Sequence, residues 1–249
     1  MLTTKFKINY SIGSVANGIK TDTFTFFLLF FYSNIIGLNP ALAGLAIFIA
    51  LCIDAVTDPL MGTISDRTNS VLGRRHPYML ISFIPMSLGY IFLFAPRQDW
   101  DMSQNDLFLW MTIFTVLTRL GMTLFDIPHR AFGGEITKNY EERTLLMSWR
   151  EMIGWVAGLS NAFLGYGIFF ASTPEYPQGQ LNPDAWFPFA VTGAVFMIMS
   201  VLYSSISTKN EVKSLSKWSG SISLGDILKE LKLAIGNKSF LIFFFGNLF

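Results

Sequence analysis

Residues 42–65 read LAGLAIFIALCIDAVTDPLMGTIS. A helix needs about 20 mostly apolar residues to cross a bilayer, and this run has that length. It nevertheless carries two acids, Asp54 and Asp58, where lipid would surround them. The rest of the chain has the same character. Of 249 residues, 51% are hydrophobic, 16% aromatic and only 14% charged, and Phe alone occurs 25 times. An ordinary soluble domain carries about 25% charged residues, and one core of this size does not hide so much apolar surface. A formal charge of +1 offers no field for nucleic acid. The single cysteine, Cys52, excludes a disulfide framework and a Cys-type metal site. The expected class is an all-α integral membrane protein with no nucleic-acid partner.

Six stretches have the length and apolarity of spans: Ile8–Ile36, Leu42–Ser65, Tyr78–Ala95, Leu107–Ile127, Leu145–Ala171 and Trp186–Ser207. A seventh begins at Phe240 and is too short to cross before Phe249, so the reading is a truncated chain. The start Met-Leu-Thr-Thr-Lys-Phe-Lys shows no removable signal peptide. The expected organisation is a six-helix transmembrane bundle over residues 1–208, a cytoplasmic linker over 209–238, and the start of a seventh span over 239–249. Lys and Arg set orientation. Lys5, Lys7, Arg67, Arg74, Arg75, Arg130, Lys138, Arg143 and the lysines after span six fall in alternate loops, whereas the other loops hold only Arg97. The N-terminus and the linker are therefore expected in the cytoplasm, and the protein in the cell (inner) membrane. Between Ser223 and Gly236 the apolar positions fall on one helical face, which predicts an amphipathic helix. Six spans, a basic linker and a new span suggest half of a two-half carrier whose C-terminal half is missing here.

The informative residues are charged and lie inside these spans: Lys20, Asp22, Asp54, Asp58, Arg119, Asp126, Arg150 and Glu151. Each costs about 2.5–3.5 kcal/mol at mid-helix if it faces lipid, so together they must face one another or a wet cavity. Five acids against three bases leave two excess negative charges, which a small cation or protons would neutralise. Asp54 and Asp58 are four residues apart and share a helix face. Two such carboxylates repel unless a cation or proton joins them. Hard cations such as sodium want oxygen ligands, and Thr57 and Thr123 offer hydroxyls beside Asp54, Asp58 and Asp126. Asp54, Asp58 and Thr123 are the expected ion ligands. Pro59 frees the carbonyl of Ala55. Asp66, just past span two, is placed to bond an Arg of the following turn, Arg67, Arg74 or Arg75, and gate that side. Gly154 and Gly158 read as a close helix contact, and the small or polar face Ser11, Gly13, Ser14, Ala16, Asn17 and Gly18 as a cavity border.

The stretches Asp54-Ala-Val-Thr57-Asp58-Pro-Leu-Met-Gly62, Ser65-Asp66-Arg67-Thr68 and Gly73-Arg-Arg-His-Pro77 resemble the glycoside–pentoside–hexuronide:cation symporters of the major facilitator superfamily, whose familiar members are melibiose carriers. Thr123-Leu-Phe-Asp126-Ile-Pro128, Glu141-Glu142-Arg143-Thr144 and Trp149-Arg150 resemble them in order and spacing as well. The resemblance implies the N-terminal six-helix half of such a carrier. It implies Asp54 and Asp58 as ligands of Na+ or H+, with Thr57 and Thr123 nearby, and no other cofactor. It also implies that Asp126 and Arg150 face a sugar or glycoside. Two departures stand out. Gly18 replaces an acid of span one, for which Asp22, one turn on, would substitute, with Lys20 nearby. Arg130 replaces an aromatic after the span-four motif, which points to an anionic solute such as a uronide or sulfated glycoside.

Other readings are weaker. A lysolipid carrier of the same superfamily shares the Asp-x3-Asp-Pro element. An intramembrane aspartyl protease would set Asp54 or Asp58 against Asp126, but its Tyr-Asp and Gly-x-Gly-Asp signatures are missing. No phosphate-binding Gly-x4-Gly-Lys-Ser/Thr loop supports a nucleotide-driven pump. The chain is therefore read as a carrier and not an enzyme.

Overall fold

A computed structural model describes residues 2–214 and Gly236. The expected amphipathic helix, apart from Gly236, and the seventh span lie outside the described residues. Among these residues the order is α1 (Thr4–Ser11), α2 (Ser14–Asp22), α3 (Leu28–Phe30), α4 (Pro40–Arg67), α5 (His76–Ile81), α6 (Phe83–Leu93), α7 (Gln104–Glu135), α8 (Tyr140–Leu164) and α9 (Trp186–Thr208). Short π- and 3₁₀-helical turns link them, and no strand occurs among the described residues.

Five helical stretches are long and apolar enough to cross a membrane, by length and composition: Pro40–Arg67, His76–Leu93, Gln104–Glu135, Tyr140–Phe169 and Pro183–Glu211. The chain is thus a multi-pass membrane protein. The first expected span differs. It is not one regular helix but α1, α2 and α3 joined by a turn at Gly13 and by π-helical segments at Thr23–Phe27 and Phe31–Ile36. Gly13 is pressed by neighbours: a Cβ there would meet the Phe125 ring at 2.7 Å and Ser204 Oγ at 2.9 Å. The π-turn inserts an extra residue per turn and re-aims the side chains around Phe24, a device that recurs at functional sites. Gly37, at φ 84°, ends the span in the left-handed conformation that glycine adopts without steric cost.

The other helices begin where the sequence supplies caps. Asn39 accepts from the Ala41 amide at 2.9 Å, and Pro40 follows at the first helical position. Ser103 and Asp106 form a reciprocal capping box at α7. Asn139 accepts from the Glu142 amide and starts α8 before the expected Leu145. α7 likewise runs past the expected Ile127 to Glu135, which moves Arg130 from the loop into the helix.

Packing is set by neighbours distant in sequence. α4 lies along α7, α6 against α7 and α9, and α2 against α8 and α9. At the end of the bundle reached by Ile36, Phe94 and Phe170, aromatic rings fill the core. The buried Trp186 ring lies 4.5 Å from Phe170, 5.2 Å from Phe31 and, nearly parallel, 6.1 Å from Phe94. Such pairs contribute about 0.5–1.5 kcal/mol each beyond area burial. Outward, Phe48, Ile113, Leu159 and Phe163 stand exposed, as a lipid-facing surface requires.

The α2–α8 seam rests on small residues. A Cβ on Gly18 would collide with the backbone carbonyl of Gly154 and come within 3.1 Å of the Gly158 amide nitrogen. The Gly154/Gly158 contact is therefore present, and of the small face of the first span, Ser14, Asn17 and Gly18 border a cavity as expected, while Ser11, Ser14 and Ala16 are buried. Gly18→Ala is expected to destabilise the protein by about 1–3 kcal/mol, since backbone cannot yield as a side chain does. Gly44→Ala, where nothing lies within 4 Å, is expected to leave stability unchanged or slightly raised. Thermal unfolding of the two variants in the same detergent checks the order.

Candidate cation and substrate site

The α4–α7 seam brings the span-two acids to span four. Asp54 forms an ion pair with Arg119. One turn on, Thr123 Oγ1 donates to Asp58 Oδ1 at 2.7 Å. Both pairings follow from matched helical spacing: Asp54 and Asp58 on one helix, Arg119 and Thr123 on the other, each four residues apart. Each helix also carries a proline just after its acid, Pro59 and Pro128, which leaves the carbonyls of Ala55 and Leu124 without their helical donors.

Asp54, Asp58, Arg119, Thr123 and Asp126 wall a cavity of ≈ 80 Å³, with Asn17 and Lys20 of α2 completing it. The Asp54 Oδ1 and Arg119 Nε atoms are buried there without a hydrogen-bond partner among the described residues. Lys20 and Arg119 both lie over the Phe24 ring, at 5.8 and 5.5 Å from its centre. Thr57 is not among the residues that wall this cavity. Its hydroxyl is buried on α4, also without a partner among the described residues. No group of three or more His, Cys, Asp or Glu residues suited to a metal ion occurs among the described residues. The oxygen set that could take a monovalent ion is two carboxylates and the Thr123 hydroxyl.

A second network adjoins the first. Asp126 pairs with Arg150 and accepts from Arg130 Nε at 2.7 Å. Glu151 closes a ring of charges, 2.6 Å from Arg150 and 3.4 Å from Arg130. Arg150, fully buried on α8, also donates to His129 Nδ1 at 3.4 Å. His129 Nε2 lies 3.0 Å from the Tyr10 carbonyl, which can only accept, so the proton sits on Nε2 and Nδ1 is free to accept from Arg150. The Tyr10 hydroxyl returns a bond to the His129 carbonyl at 3.0 Å, with the two rings stacked at 4.1 Å.

This arrangement corrects the charge count made from the sequence. With Arg130 inside α7, four bases (Lys20, Arg119, Arg130, Arg150) meet four acids (Asp54, Asp58, Asp126, Glu151). The expected excess of two negative charges is absent from the joint cluster. The fifth acid, Asp22, lies elsewhere: its Oδ2 accepts from Asn161 Nδ2 at 3.1 Å. Asn161 also reaches Thr23 Oγ1, which bonds Tyr90. Asp22 and Gly18 line a second pocket of ≈ 310 Å³ between α2 and α8, together with Arg150, Glu151, Phe26 and Trp155. Asp22 thus shares a wall with Arg150, and Lys20 points into the other cavity. Among the described residues no two of Asp54, Asp58 and Asp126 share a hydrogen bond. Each is held by a different partner, unlike the face-to-face acids of a protease.

The turn after span two is tied down. Arg75, almost wholly buried, bonds Asp66 at 2.7 Å and Glu135 at 2.6 Å, and Arg74 reaches the same Glu135 oxygen at 2.6 Å. Burial pulls the Arg75 guanidinium below its ordinary value, while Glu135 and Asp66 oppose that shift. Arg67 is the last residue of α4 beside this clamp. Sequence reasoning found Asp66 and the arginines but missed Glu135, the acid at the far end of α7. It also missed His129, Tyr10, Asn161 and Phe24. Asn161, a polar residue inside an apolar span, carried the same signal as the charges.

A carrier-type helical bundle with paired charges inside the membrane is the class that this fold and site define. The chain matches the family described as MFS/sugar transport protein over residues 9–249, and it belongs to that family. It is 32% identical over 210 residues to an uncharacterised symporter of Synechocystis, covering 83% of this chain and 38% of that protein. It is 29% identical over 241 residues to the putative glycoside/cation symporter YagG of Escherichia coli, covering 97% and 50%. To the sodium-dependent lysophosphatidylcholine symporter 1-A of Danio rerio it is 31% identical over 179 residues, covering 70% and 32%. The matched region is thus between about a third and a half of the length of these relatives.

Glu135 accepts from two arginines and is less exposed than Asp66, whose bond to Arg75 is half in solvent. Glu135→Gln is expected to cost about 1.5–3 kcal/mol, the range for bonds to charged groups. Asp66→Asn is expected to cost less than about 1 kcal/mol. Parallel thermal unfolding curves test that order, and the reverse order would show that the clamp is centred on Asp66.

Proposed function

We propose that the protein is a secondary active carrier that couples a monovalent cation, Na+ or H+, to a sugar or glycoside by alternating access. The observation that carries this reading is the meeting of Asp54, Asp58 and Thr123 in one small cavity that also touches Asp126. The cation site would be Asp54, Asp58 and Thr123, with Thr57 behind them on α4. Asp126, Arg150 and Asp22 would bind solute hydroxyls, since carboxylates and guanidinium supply paired acceptors and donors. The larger pocket is lined by small and polar residues together with Phe26, Trp155 and Leu159, and the surface its wall offers is mainly apolar, which suits the face of a sugar ring or an amphiphile. Arg130, half exposed and paired with Asp126 and Glu151, would favour a uronide or sulfated glycoside. The basic turns support an N-terminus in the cytoplasm. In this reading the six spans form one half of the carrier, and a C-terminal half closes the cavity.

A lysolipid solute is the second reading, supported by the name of the Danio rerio relative. A thermal-shift screen of mono- and disaccharides and a lysophospholipid, with and without sodium, separates the two.

For the full-length protein, solute affinity is expected to rise with sodium or with falling pH. Equal affinity in sodium, in potassium and at every pH would leave an uncoupled facilitator. Asp58→Cys is expected to abolish cation stimulation. Asp126→Asn is expected to lose about 1.5–3 kcal/mol of solute binding while cation binding survives. Radiolabelled solute binding to the purified protein measures all three.

A further inference from the structure

Arg119 stands where a coupling ion would have to bind. Its guanidinium reaches across from α7 to Asp54 on α4, inside the cavity that holds Asp58 and Thr123. The contact is made by one nitrogen and one oxygen, Nη1 and Oδ2. Arg119 Nε and Asp54 Oδ1 are both buried without partners among the described residues. A buried pair gains most when it is bidentate and every remaining donor and acceptor is satisfied. This one has neither feature.

A second seat for the guanidinium is already in reach. The Phe24 ring, aimed by the π-turn of the first span, lies 5.5 Å from Arg119 Cζ. Lys20 lies over the same ring at 5.8 Å. Charge completes the case. Asp126 on the same wall is held by Arg130 and Arg150, which Glu151 ties together, so Asp54 and Asp58 are left to Lys20 and Arg119 around a cavity of ≈ 80 Å³. That is room for an ion and about one or two waters, each of which takes about 30 Å³. A free cation added to this balanced set would leave a net positive charge, which burial opposes. Withdrawal of the guanidinium from Asp54 returns a carboxylate to the incoming ion.

We propose that Arg119 is a tethered counterion that holds the place of the coupling cation at Asp54, so that a free monovalent cation gains this carboxylate only by displacing the guanidinium. This rests on the cation-site reading above and adds a competitor to it. Arg119 thereby sets the ion concentration at which the site responds.

The test is a sodium titration of purified full-length protein at about pH 8, where carboxylates are ordinarily ionised, read by tryptophan fluorescence and by melting temperature. In Arg119→Gln the half-saturating sodium concentration should fall by at least about tenfold, equivalent to 1.4 kcal/mol of competition removed. The gain should vanish in Asp54→Asn/Arg119→Gln. A wild type silent to sodium with a responsive Arg119→Gln also supports the proposal, although it would end sodium coupling for the wild type. Equal half-saturation in wild type and Arg119→Gln, no response from Arg119→Gln, or a gain that persists in the double variant would overturn it. If Arg119→Gln is unstable in choline chloride, recovery in sodium chloride supports the proposal, and instability in both salts overturns it. Solute binding by the wild type that ignores sodium and pH refutes coupling, and the variant titration is read independently of that result.

Discussion

A charge inside a bilayer must find its opposite within the protein, and this requirement organises the bundle. Four acids and four bases drawn from α2, α4, α7 and α8 answer one another, and a fifth acid, Asp22, lines the larger cavity with Arg150. Facing lipid, each would cost about 2.5–3.5 kcal/mol. Arg150 shows how far the requirement reaches. It is wholly buried, and Asp126, Glu151 and His129 all meet it. Its own carbonyl accepts from the Ser14 hydroxyl at 2.6 Å, so the same residue ties the α8 backbone to α2. The close α2–α8 approach at Gly18, Gly154 and Gly158 is what brings Arg150 to α7 at all.

Much of this was legible in the sequence because it rests on local rules. The spans follow from runs of apolar residues, and the shared face of Asp54 and Asp58 from helical spacing. Thr123 could be matched to the acid pair by residue chemistry and resemblance. What was not legible depends on where helices end and how they cross. The sequence places the end of span four at Ile127, since His129 and Arg130 look like loop residues. In the fold α7 continues to Glu135, because the acids of its neighbours make these polar residues tolerable at depth. That shift adds a fourth base to the cluster, and with Asp22 bonded to Asn161 instead, the apparent charge excess is gone. The break-up of the first span was equally hidden. No proline marks it, and at its first break Gly13 is crowded by Phe125 and Ser204 from other helices.

In the carrier proposed here, the balanced charge would change how ion coupling works. An excess of acids attracts any cation. A neutral set attracts one only where a resident base can step aside, so selectivity becomes a matter of exchange rather than of net field. The geometry suits exchange on one side and resists it on the other. Arg119 makes a single contact with Asp54 and has an aromatic face beside it. Asp126, by contrast, is held by two guanidinium groups, themselves cross-tied through Glu151.

The two networks are joined by α7. Arg119, Thr123, Asp126 and Arg130 fall at intervals of four, three and four, which on a helix of 3.6 residues per turn is one stripe. The upper part of that stripe grips α4 and the lower part grips α8. A rotation of α7 that frees Asp54 must therefore also move Asp126 relative to Arg150, because one rigid helix carries both contacts. Pro128 adds compliance within that stripe, since the Leu124 carbonyl lacks its helical donor. In a carrier that links an ion to a solute, the two sites need a shared mechanical element whose position both can bias. In this fold α7 bonds both α4 and α8, Asn17 of α2 lines both cavities, and the Arg119–Asp54 pair is the more weakly held of the two α7 grips.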